Sequence, residues 1–330
     1  MKKRRGYVKI GVEIPGLEKI MRTAYKRSAY RRRRARRRRG GNGSKLPVIL
    51  VLSIVAALVV ALAVSLFKRE APDPHEGQVY INDGFGMVWM TPLEGVDVNP
   101  LTQADFRIIN GNPHYTGEAY ETARGIDVSE HQHGIEWDKV AEAGIDFAYV
   151  RLGYRGYTEG GIFEDPYFES NVEGALKNGL DVGVYFFSQA ISVEEALEEA
   201  EFVLERIEKY NITLPVVFDW EKIEGDGRAN SLDPAILNDC AIAFCEAVKT
   251  AGYEPAVYFN RYLGYYAYDL SKLTDYKFWL AVPGDFPDFY YETDIWQYTF
   301  TAEIPGIAEP TDLNLMLTPI VTEPPVEEAE

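Results

Sequence analysis

Two acidic residues, Asp219 and Glu221, end an apolar run in the stretch PVVFDWE at residues 215–221. The β-branched residues of this run predict a buried strand, and side chains on a strand alternate between its two faces. We therefore expect both carboxyl groups on one face, about 6.6 Å apart along the strand, with Trp220 on the other. Like charges this close raise one of the two pKa values, and a carboxyl that stays protonated near neutral pH can act as general acid in glycoside cleavage.

Polar residues also end the neighbouring apolar segments. They are Asp127 after GI, Arg151 after FAYV, Tyr185 after VGV, Asn260 after AVYF and Gln297 after DIW. Few basic residues lie nearby to neutralise the acids, and aromatic residues cluster at the same ends. This combination favours a sugar-binding groove over ion pairs or helix caps. The aromatic residues are Tyr154, Tyr157, Tyr185, Phe187, Tyr258, Trp279, Trp296 and Tyr298.

Repeated segments predict the strands that position these residues. Gly144, Gly179 and Gly252 each stand where a helix would end, directly before a short strand rich in Val, Tyr and Phe. The interval between the second and third glycine is about twice that between the first two. The stretch ITLPVVFDWE supplies the strand that this longer interval requires.

Helix-start signals lie between the strands. Ser192 and Glu195 form a capping box, and the Asp-Pro pairs at residues 165–166 and 233–234 each place a capping Asp before the first helical position. Alternating helices and apolar strands predict a parallel sheet, open or closed into a barrel. Residues 124–320 are fewer than the roughly 250 of a typical eightfold barrel. We therefore predict an α/β fold, an irregular (reduced) β/α barrel with its site at the C-terminal strand ends.

Five segments resemble, in order, the motifs of glycoside hydrolase family 25, lysozymes that cleave peptidoglycan as N-acetylmuramidases. The resemblance extends from Arg124 to Met316. It implies an irregular β/α barrel, no cofactor or metal, and hydrolysis of the β-1,4 bond between N-acetylmuramic acid and N-acetylglucosamine. The segments are RGIDVSEHQ, VRLGYRGY, DVGVYFFSQA, PVVFDWE, and DIWQYT followed by TDLN.

The same resemblance implies roles for individual residues. Glu221 is expected to be the proton donor, Asp219 to assist it, Asp127 to line the opposite side of the cleft, and Asp312 to be the fourth acid. The chain departs from the family at Arg151, where a Lys is common. Residues expected to bind substrate, from the resemblance or from their places at strand ends, are Gln132, Arg151, Tyr154, Tyr185, Phe187, Tyr258, Asn260, Trp296 and Gln297.

The N-terminal part has the composition of a membrane anchor. Residues 1–67 contain 18 of the 34 Lys and Arg and only two acids, about +16, which leaves about −33 for the rest of a chain of net charge −17. Residues 46–67 are uncharged and apolar, and a helix of that length extends about 33 Å, enough to cross a bilayer. The positive-inside rule predicts a single-pass membrane protein with residues 1–45 cytoplasmic and everything after residue 68 extracellular.

Two other interpretations of this region are weaker. A cleaved signal peptide fits the Ala61-Leu62-Ala63 sequence, but 45 residues form a long leader. The basic block at residues 31–39 resembles a nucleic-acid-binding segment, but beside a membrane span it is more simply a topology signal that attracts anionic lipid. We therefore expect membrane lipid and peptidoglycan as partners, and no nucleic acid.

The remaining segments carry fewer signals. Residues 68–78 are Pro-rich and are typical of a stalk, residues 79–123 of an irregular prefix that contains β-hairpins, and residues 321–330 of a disordered acidic tail. Cys240 and Cys245 are too far apart along one helix for a disulfide, so buried free thiols are expected.

Two alternative functions are open at this point. A family 18 chitinase-like barrel also has a motif ending in D-W-E, but it requires another Asp where this chain has Val217. A non-catalytic barrel that binds glycan and holds a wall-remodelling complex at the membrane is the other. The complete set of acids favours a muramidase over both.

Overall fold

The computed structural model describes residues 46–67 and 73–320. The first range is one helix, α1 (Leu46–Phe67), in which the side chains at residues 50–62 are described. Among the residues with described side chains, no helix is long and apolar enough to cross a membrane. The predicted basic segment, the first half of the predicted stalk and the predicted acidic tail lie outside the described residues.

Two β-hairpins form the segment before the barrel. Asn99 attaches this segment to the loop at residues 282–294. Its Nδ2 donates to the backbone oxygens of Pro287 and Phe289 at 2.9 and 3.0 Å. The hairpins pair β1 (Val79–Asn82) with β2 (Met87–Met90), and β3 (Phe106–Ile109) with β4 (Asn112–Tyr115).

Within residues 120–319, eight strands close into a barrel, and a ninth, β7 (Ile162–Glu164), pairs antiparallel with the end of the second barrel strand. Seven barrel strands run parallel, and the last, β13 (Thr311–Pro319), is antiparallel to both of its neighbours, β12 (Ile295–Ala302) and β5 (Tyr120–Val128). In chain order the strands are β5 (Tyr120–Val128), β6 (Phe147–Arg155), β7 (Ile162–Glu164), β8 (Asp181–Ser188), β9 (Val216–Trp220), β10 (Pro255–Asn260), β11 (Lys277–Ala281), β12 (Ile295–Ala302) and β13 (Thr311–Pro319).

The barrel is closed, as in a full eightfold barrel, and it is shortened in the connections between strands. The first strand starts at Tyr120, four residues before the predicted boundary. Residues 282–294 and 303–310, which join the last three strands, contain no α-helix. The helices are α2 (Trp137–Glu142), α3 (Phe168–Lys177), α4 (Val193–Ile207), α5 (Pro234–Thr250) and α6 (Arg261–Tyr266).

Two of the three predicted helix starts are confirmed. Ser192 and Asp233 accept backbone N–H groups at the first turns of α4 and α5, at 3.4 and 2.8 Å. Asp165 does not cap α3, which begins at Phe168, and its carboxylate instead binds an arginine at the barrel mouth. Cys240 and Cys245 are buried free thiols in α5, as expected.

The β3–β4 hairpin covers part of the barrel that lacks a helix. Phe106 packs edge-on against Trp296 of β12, with ring centroids 5.5 Å apart. The hydroxyl of Tyr298, also on β12, donates to Asn112 Oδ1 at 3.2 Å. The hairpin therefore buries apolar side chains on the outer face of β12 that a crossover helix would otherwise cover.

Strand alternation separates an apolar barrel interior from the outer core. In β9, Val217 packs with the interior side chains, whereas Phe218 and Trp220 pack in the outer core against the helices. The interior is filled by large rings, including Tyr149 stacked on Trp279 with centroids 4.5 Å apart. Because these side chains fill the barrel, polar groups such as Asp219 can gather only at its C-terminal mouth.

Gly183 in β8 makes room for one of these rings, since a Cβ there would lie 2.3 Å from a Tyr149 ring carbon. Overpacking of this kind costs about 1–3 kcal/mol. We expect Gly183→Ala to lower the free energy of unfolding by that amount, as measured by urea denaturation. Gly134→Ala is the control, because nothing lies within 4 Å of the position that its Cβ would occupy. Equal stability of the two variants would contradict this packing account.

Candidate active site

The strand ends bring the four predicted acids together. Asp219 lies on the inner face of β9, and Glu221 follows at the barrel mouth, one residue beyond the strand. Asp127 of β5 is directly opposite Asp312 of β13 in the antiparallel register. Side chains opposite one another on paired strands lie about 4.5–5.5 Å apart at Cβ. The last strand, β13, thus places the carboxyl group of Asp312 beside that of Asp127 on the first strand.

A cavity of about 270 Å³ opens at this mouth. All four predicted acids line it, together with six of the nine residues predicted to bind substrate. The six are Gln132, Arg151, Tyr185, Phe187, Tyr258 and Gln297, and the remaining lining residues are Ser129, His131, Tyr157 and Trp279.

The other three predicted binding residues lie outside this cavity. Asn260 caps α6 and lines a neighbouring, larger cavity. Tyr154 lies under the guanidinium of Arg151, 5.3 Å from it. Trp296 is fully buried in the outer core and donates from Nε1 to the backbone oxygen of Val282 at 2.7 Å. The side chain of Trp296 packs against Phe106 of the prefix and does not reach the groove, so the expectation that it shapes the groove was wrong.

Asp127 is held by amide donors. Its Oδ2 accepts from Gln297 Nε2 at 2.8 Å and from Asn314 Nδ2 at 2.7 Å. Gln297 Nε2 also donates to Asp312 Oδ2 at 3.1 Å, so it bridges the two opposed carboxyl groups. Asn314 belongs to the TDLN motif, but its role as a donor to Asp127 could not be read from that motif alone.

Buried aromatic residues orient these two amides. The hydroxyl of Tyr258 donates to Gln297 Oε1 at 2.9 Å, and Trp279 Nε1 donates to Asn314 Oδ1 at 2.8 Å. Each amide therefore has its oxygen occupied by a donor and its nitrogen directed at Asp127. This arrangement favours a negative charge on Asp127.

Burial raises the pKa of all four acids, and Asp127 is the one among them whose pKa is also lowered by hydrogen bonds. Burial raises the pKa of Asp127, but hydrogen bonds from Asn314, Gln297 and Asp312 oppose that rise. Burial and the charge of Asp127 raise the pKa of Asp312 to about 8. Asp312 is therefore mostly protonated at neutral pH, and its hydrogen bond to Asp127 favours the charged form of Asp127.

The protonation of Glu221 is set by burial and by Asp127. These two causes, in that order, raise the pKa of Glu221 to about 7. Burial raises the pKa of Asp219 well above its ordinary value, with further contributions from Glu221 and Asp127. The strand spacing predicts that the two adjacent acids raise one of their two pKa values, and the structure places this effect on Asp219. For Glu221, the neighbouring charge that raises the pKa is that of Asp127.

Arg151, the arginine that lines the cavity, is already neutralised. Its Nε donates to Asp165 Oδ2 at 2.8 Å, and its Nη2 donates to Glu130 Oε1 at 2.9 Å. Asp165 Oδ2 also accepts the backbone N–H of Glu130 at 2.9 Å. Sequence reasoning missed both acids, because Asp165 precedes a proline and resembles a helix cap. Their effect is that Arg151 stays fixed, and its ion pairs in the described part of the chain are with these two acids and not with the four site acids.

Asp219 is a source of instability in this site. Its Oδ1 is buried without a hydrogen-bond partner among the residues that the structure describes. Its raised pKa means that, above about pH 4, the unfolded chain releases a proton that the folded chain retains, so the free energy of unfolding falls as pH rises.

We expect Asp219→Asn to remove this pH dependence, because an amide does not titrate. Its Tm relative to wild type should increase steadily from pH 5 to pH 8 while activity falls. Thermal unfolding at several pH values measures this difference. Asp239→Asn, at an exposed position of α5, is the matched control and should show a constant difference. If the Tm values of Asp219→Asn and wild type changed with pH in parallel, the pKa of Asp219 would not be raised in the folded protein.

Comparison with known proteins agrees with this geometry. The family model described as glycosyl hydrolases family 25 matches residues 126–307. Lysozyme M1 of Streptomyces globisporus is 26% identical over 208 residues, which cover 58% of this chain and 66% of the lysozyme.

Solved structures show the same fold. The modular autolysin LytC of Streptococcus pneumoniae superposes with a TM-score of 0.53 and 25% identity, over 73% of this chain and 56% of LytC. The chain thus spans little more than half the length of that autolysin. A family 25 glycosyl hydrolase of Bacillus anthracis, 23% identical, shows the fold alone, with a TM-score of 0.50 over 62% of this chain and 92% of the other.

These matches confirm the family and the glycoside hydrolase class that the ordered motifs predicted. The family model covers more than half of the 330 residues and reaches from the strand of Asp127 to the loop before Asp312. This chain therefore belongs to glycosyl hydrolase family 25.

Proposed function

We propose that this chain is a muramidase that hydrolyses the β-1,4 bond between N-acetylmuramic acid and N-acetylglucosamine in peptidoglycan. The observation that carries the proposal is that one cavity places Glu221, whose pKa is raised to about 7, together with Asp127, whose carboxyl oxygen accepts hydrogen bonds from two amides. Glycoside hydrolysis requires both a proton for the leaving oxygen and a negative charge beside the cationic sugar. The similarity to a lysozyme and to an autolysin supports this substrate class.

Three of the four acids have separate tasks in this proposal. Glu221 donates its proton to the glycosidic oxygen as the bond breaks, and water then supplies the hydroxyl group that the sugar carbon gains and the proton that Glu221 recovers. The carboxylate of Asp127, fixed by Gln297 and Asn314, stabilises the positive charge that develops on the sugar. A protonated Asp219 next to Glu221 stabilises the carboxylate that Glu221 becomes after proton transfer.

A non-catalytic scaffold is the weaker candidate. A barrel that only bound glycan would have no use for three carboxyls kept protonated by burial and mutual repulsion, because such groups destabilise the fold. The cavity retains all four acids and orients the amides around them. These features favour turnover over binding alone.

The proton donor is tested by Glu221→Gln. We expect purified peptidoglycan incubated with the full chain to yield new reducing N-acetylmuramic acid ends by mass spectrometry. The variant should lose about 10²–10⁴-fold of this activity, the usual contribution of a general acid. Glu224→Gln is the matched control, since Glu224 is exposed on the same loop and does not line the cavity.

The pH profile provides a second readout of the same residue. Because the pKa of Glu221 is raised to about 7, its proton is present below that pH and lost above it. Activity should therefore fall through about pH 7 on the alkaline side of a bell-shaped profile. An alkaline limb that persists unchanged in the residual activity of Glu221→Gln would rule out this assignment. Retained binding to peptidoglycan without any cleavage by wild type would favour the scaffold.

We further propose that residues 46–67 anchor the enzyme in the cell membrane, with residues 1–45 in the cytoplasm and the barrel outside. The uncharged apolar run and its strongly basic flank support this topology.

Fractionation and surface proteolysis test this topology. We expect the chain to remain with membranes in alkaline carbonate and to dissolve in detergent, and protease added to intact wall-stripped cells should degrade the barrel. The alkaline step without detergent distinguishes the two kinds of attachment, because it releases a peripherally bound protein and leaves an anchored one with the membrane. A mature protein released from the membrane with its N-terminus just after Ala63 would support a cleaved leader instead.

A further inference from the structure

A second cavity of about 700 Å³ lies beside the acid cavity and shares Glu221 and Tyr258 with it. One wall comes from the barrel, at residues 260–262 and 281–288. The opposite wall comes from residues 82–85, the tip of the β1–β2 hairpin. This tip lies outside the residues matched by the family model. The cleft at Glu221 therefore extends onto a segment that the family domain does not supply.

The hairpin tip is held in a defined position by Asp83. Its Oδ1 accepts the backbone N–H groups of Phe85 and Gly86 at 2.8 and 2.9 Å, which closes the turn. Its Oδ2 accepts the hydroxyl of Tyr266 on α6 at 2.8 Å. The hydrogen bonds from Phe85 and Tyr266 lower the pKa of Asp83, so the carboxylate stays charged. These contacts attach the turn to the barrel.

A second contact fixes the same tip to the loop after β11. Asn82 Nδ2 donates to Asp288 Oδ2 at 3.0 Å, and Arg261 Nη2 donates to the same oxygen at 3.1 Å. The wall of the cavity is thus preorganised, which reduces the entropy lost when a ligand binds.

The side chain at the tip is an exposed phenylalanine. Phe85 is 85% exposed, and its ring meets Tyr262 edge-on with centroids 6.0 Å apart. Asp83 closes the turn through backbone groups, so the turn does not need an aromatic ring at this position. Phe300, 45% exposed, lines the same cavity. Exposed aromatic faces around a cleft that also contains amides and charged groups suit the mixed apolar and polar surface of a sugar.

We propose that the β1–β2 hairpin completes an additional glycan-binding subsite next to Glu221, in which Phe85 and Tyr262 contact a sugar ring of the same strand that is cleaved. This inference rests on the proposed function. Glu221 and Tyr258 line both cavities, so the two cavities are adjacent, and a glycan strand bound at Glu221 would extend towards the second one. The subsite would favour strands that extend beyond the cleaved bond on this side.

The test compares Phe85→Ala with wild type on two substrates, long glycan strands from purified peptidoglycan and the shortest muropeptide oligosaccharide that wild type cleaves. We expect kcat/KM on long strands to fall about tenfold and kcat/KM on the short substrate to stay unchanged. Phe85→Trp should retain activity on long strands. Tyr80→Ala is the matched control, because Tyr80 is an exposed aromatic residue of the same hairpin that lines neither cavity.

Each other outcome has a definite meaning. Equal activity of Phe85→Ala and wild type on long strands would overturn the subsite and leave the muramidase proposal standing. An equal loss in Tyr80→Ala would also overturn it, since the hairpin's stability would then be responsible. If wild type cleaves neither substrate, the muramidase proposal fails, and cosedimentation with insoluble peptidoglycan decides the subsite. Weaker sedimentation of Phe85→Ala would support it, and equal sedimentation would overturn it.

Discussion

The controlling constraint in this molecule is the burial of four carboxyl groups in one cavity whose lining arginine is already paired with two other acids. Four charges cannot coexist there, so protons must remain on most of them. The amides of Gln297 and Asn314 decide which group ionises, because both direct their nitrogens at Asp127. The aromatic rings that orient those amides belong to the packed barrel interior, so the protonation pattern depends on the core.

The topology of the last strands serves the same arrangement. An eighth parallel strand would present its C-terminal end to the mouth, whereas the antiparallel β13 presents its first residues there. Asp312 is the second residue of β13 and pairs directly with Asp127. The omission of helices around β12 leaves an uncovered outer face, and the β3–β4 hairpin occupies it through Phe106 and Asn112. The prefix is thus part of the barrel's outer layer.

The sequence was sufficient to predict the barrel, the strand ends and the acids, because strand alternation and the ordered motifs are local patterns. It was not sufficient where the outcome depended on neighbours distant in the chain. After burial, the cause that raises the pKa of Glu221 is the charge of Asp127, which lies across the barrel and 94 residues earlier in the chain. Trp296 is an aromatic residue of the type that lines sugar-binding grooves. Strand alternation, however, places its side chain on the outer face of β12, where Phe106 covers it.

The β3–β4 hairpin that covers β12 also determines the shortest fragment of this chain that keeps the barrel's outer face covered. Residues matched by the family model begin at Ile126, within β5, and they exclude both hairpins. A fragment cut at that boundary would lose the first six of the nine residues of β5 and expose the rings of Trp296 and Tyr298 to water, creating an apolar surface prone to aggregation. Transplanting the activity into another protein therefore requires the compact unit from Pro74 onward, with the hairpins included.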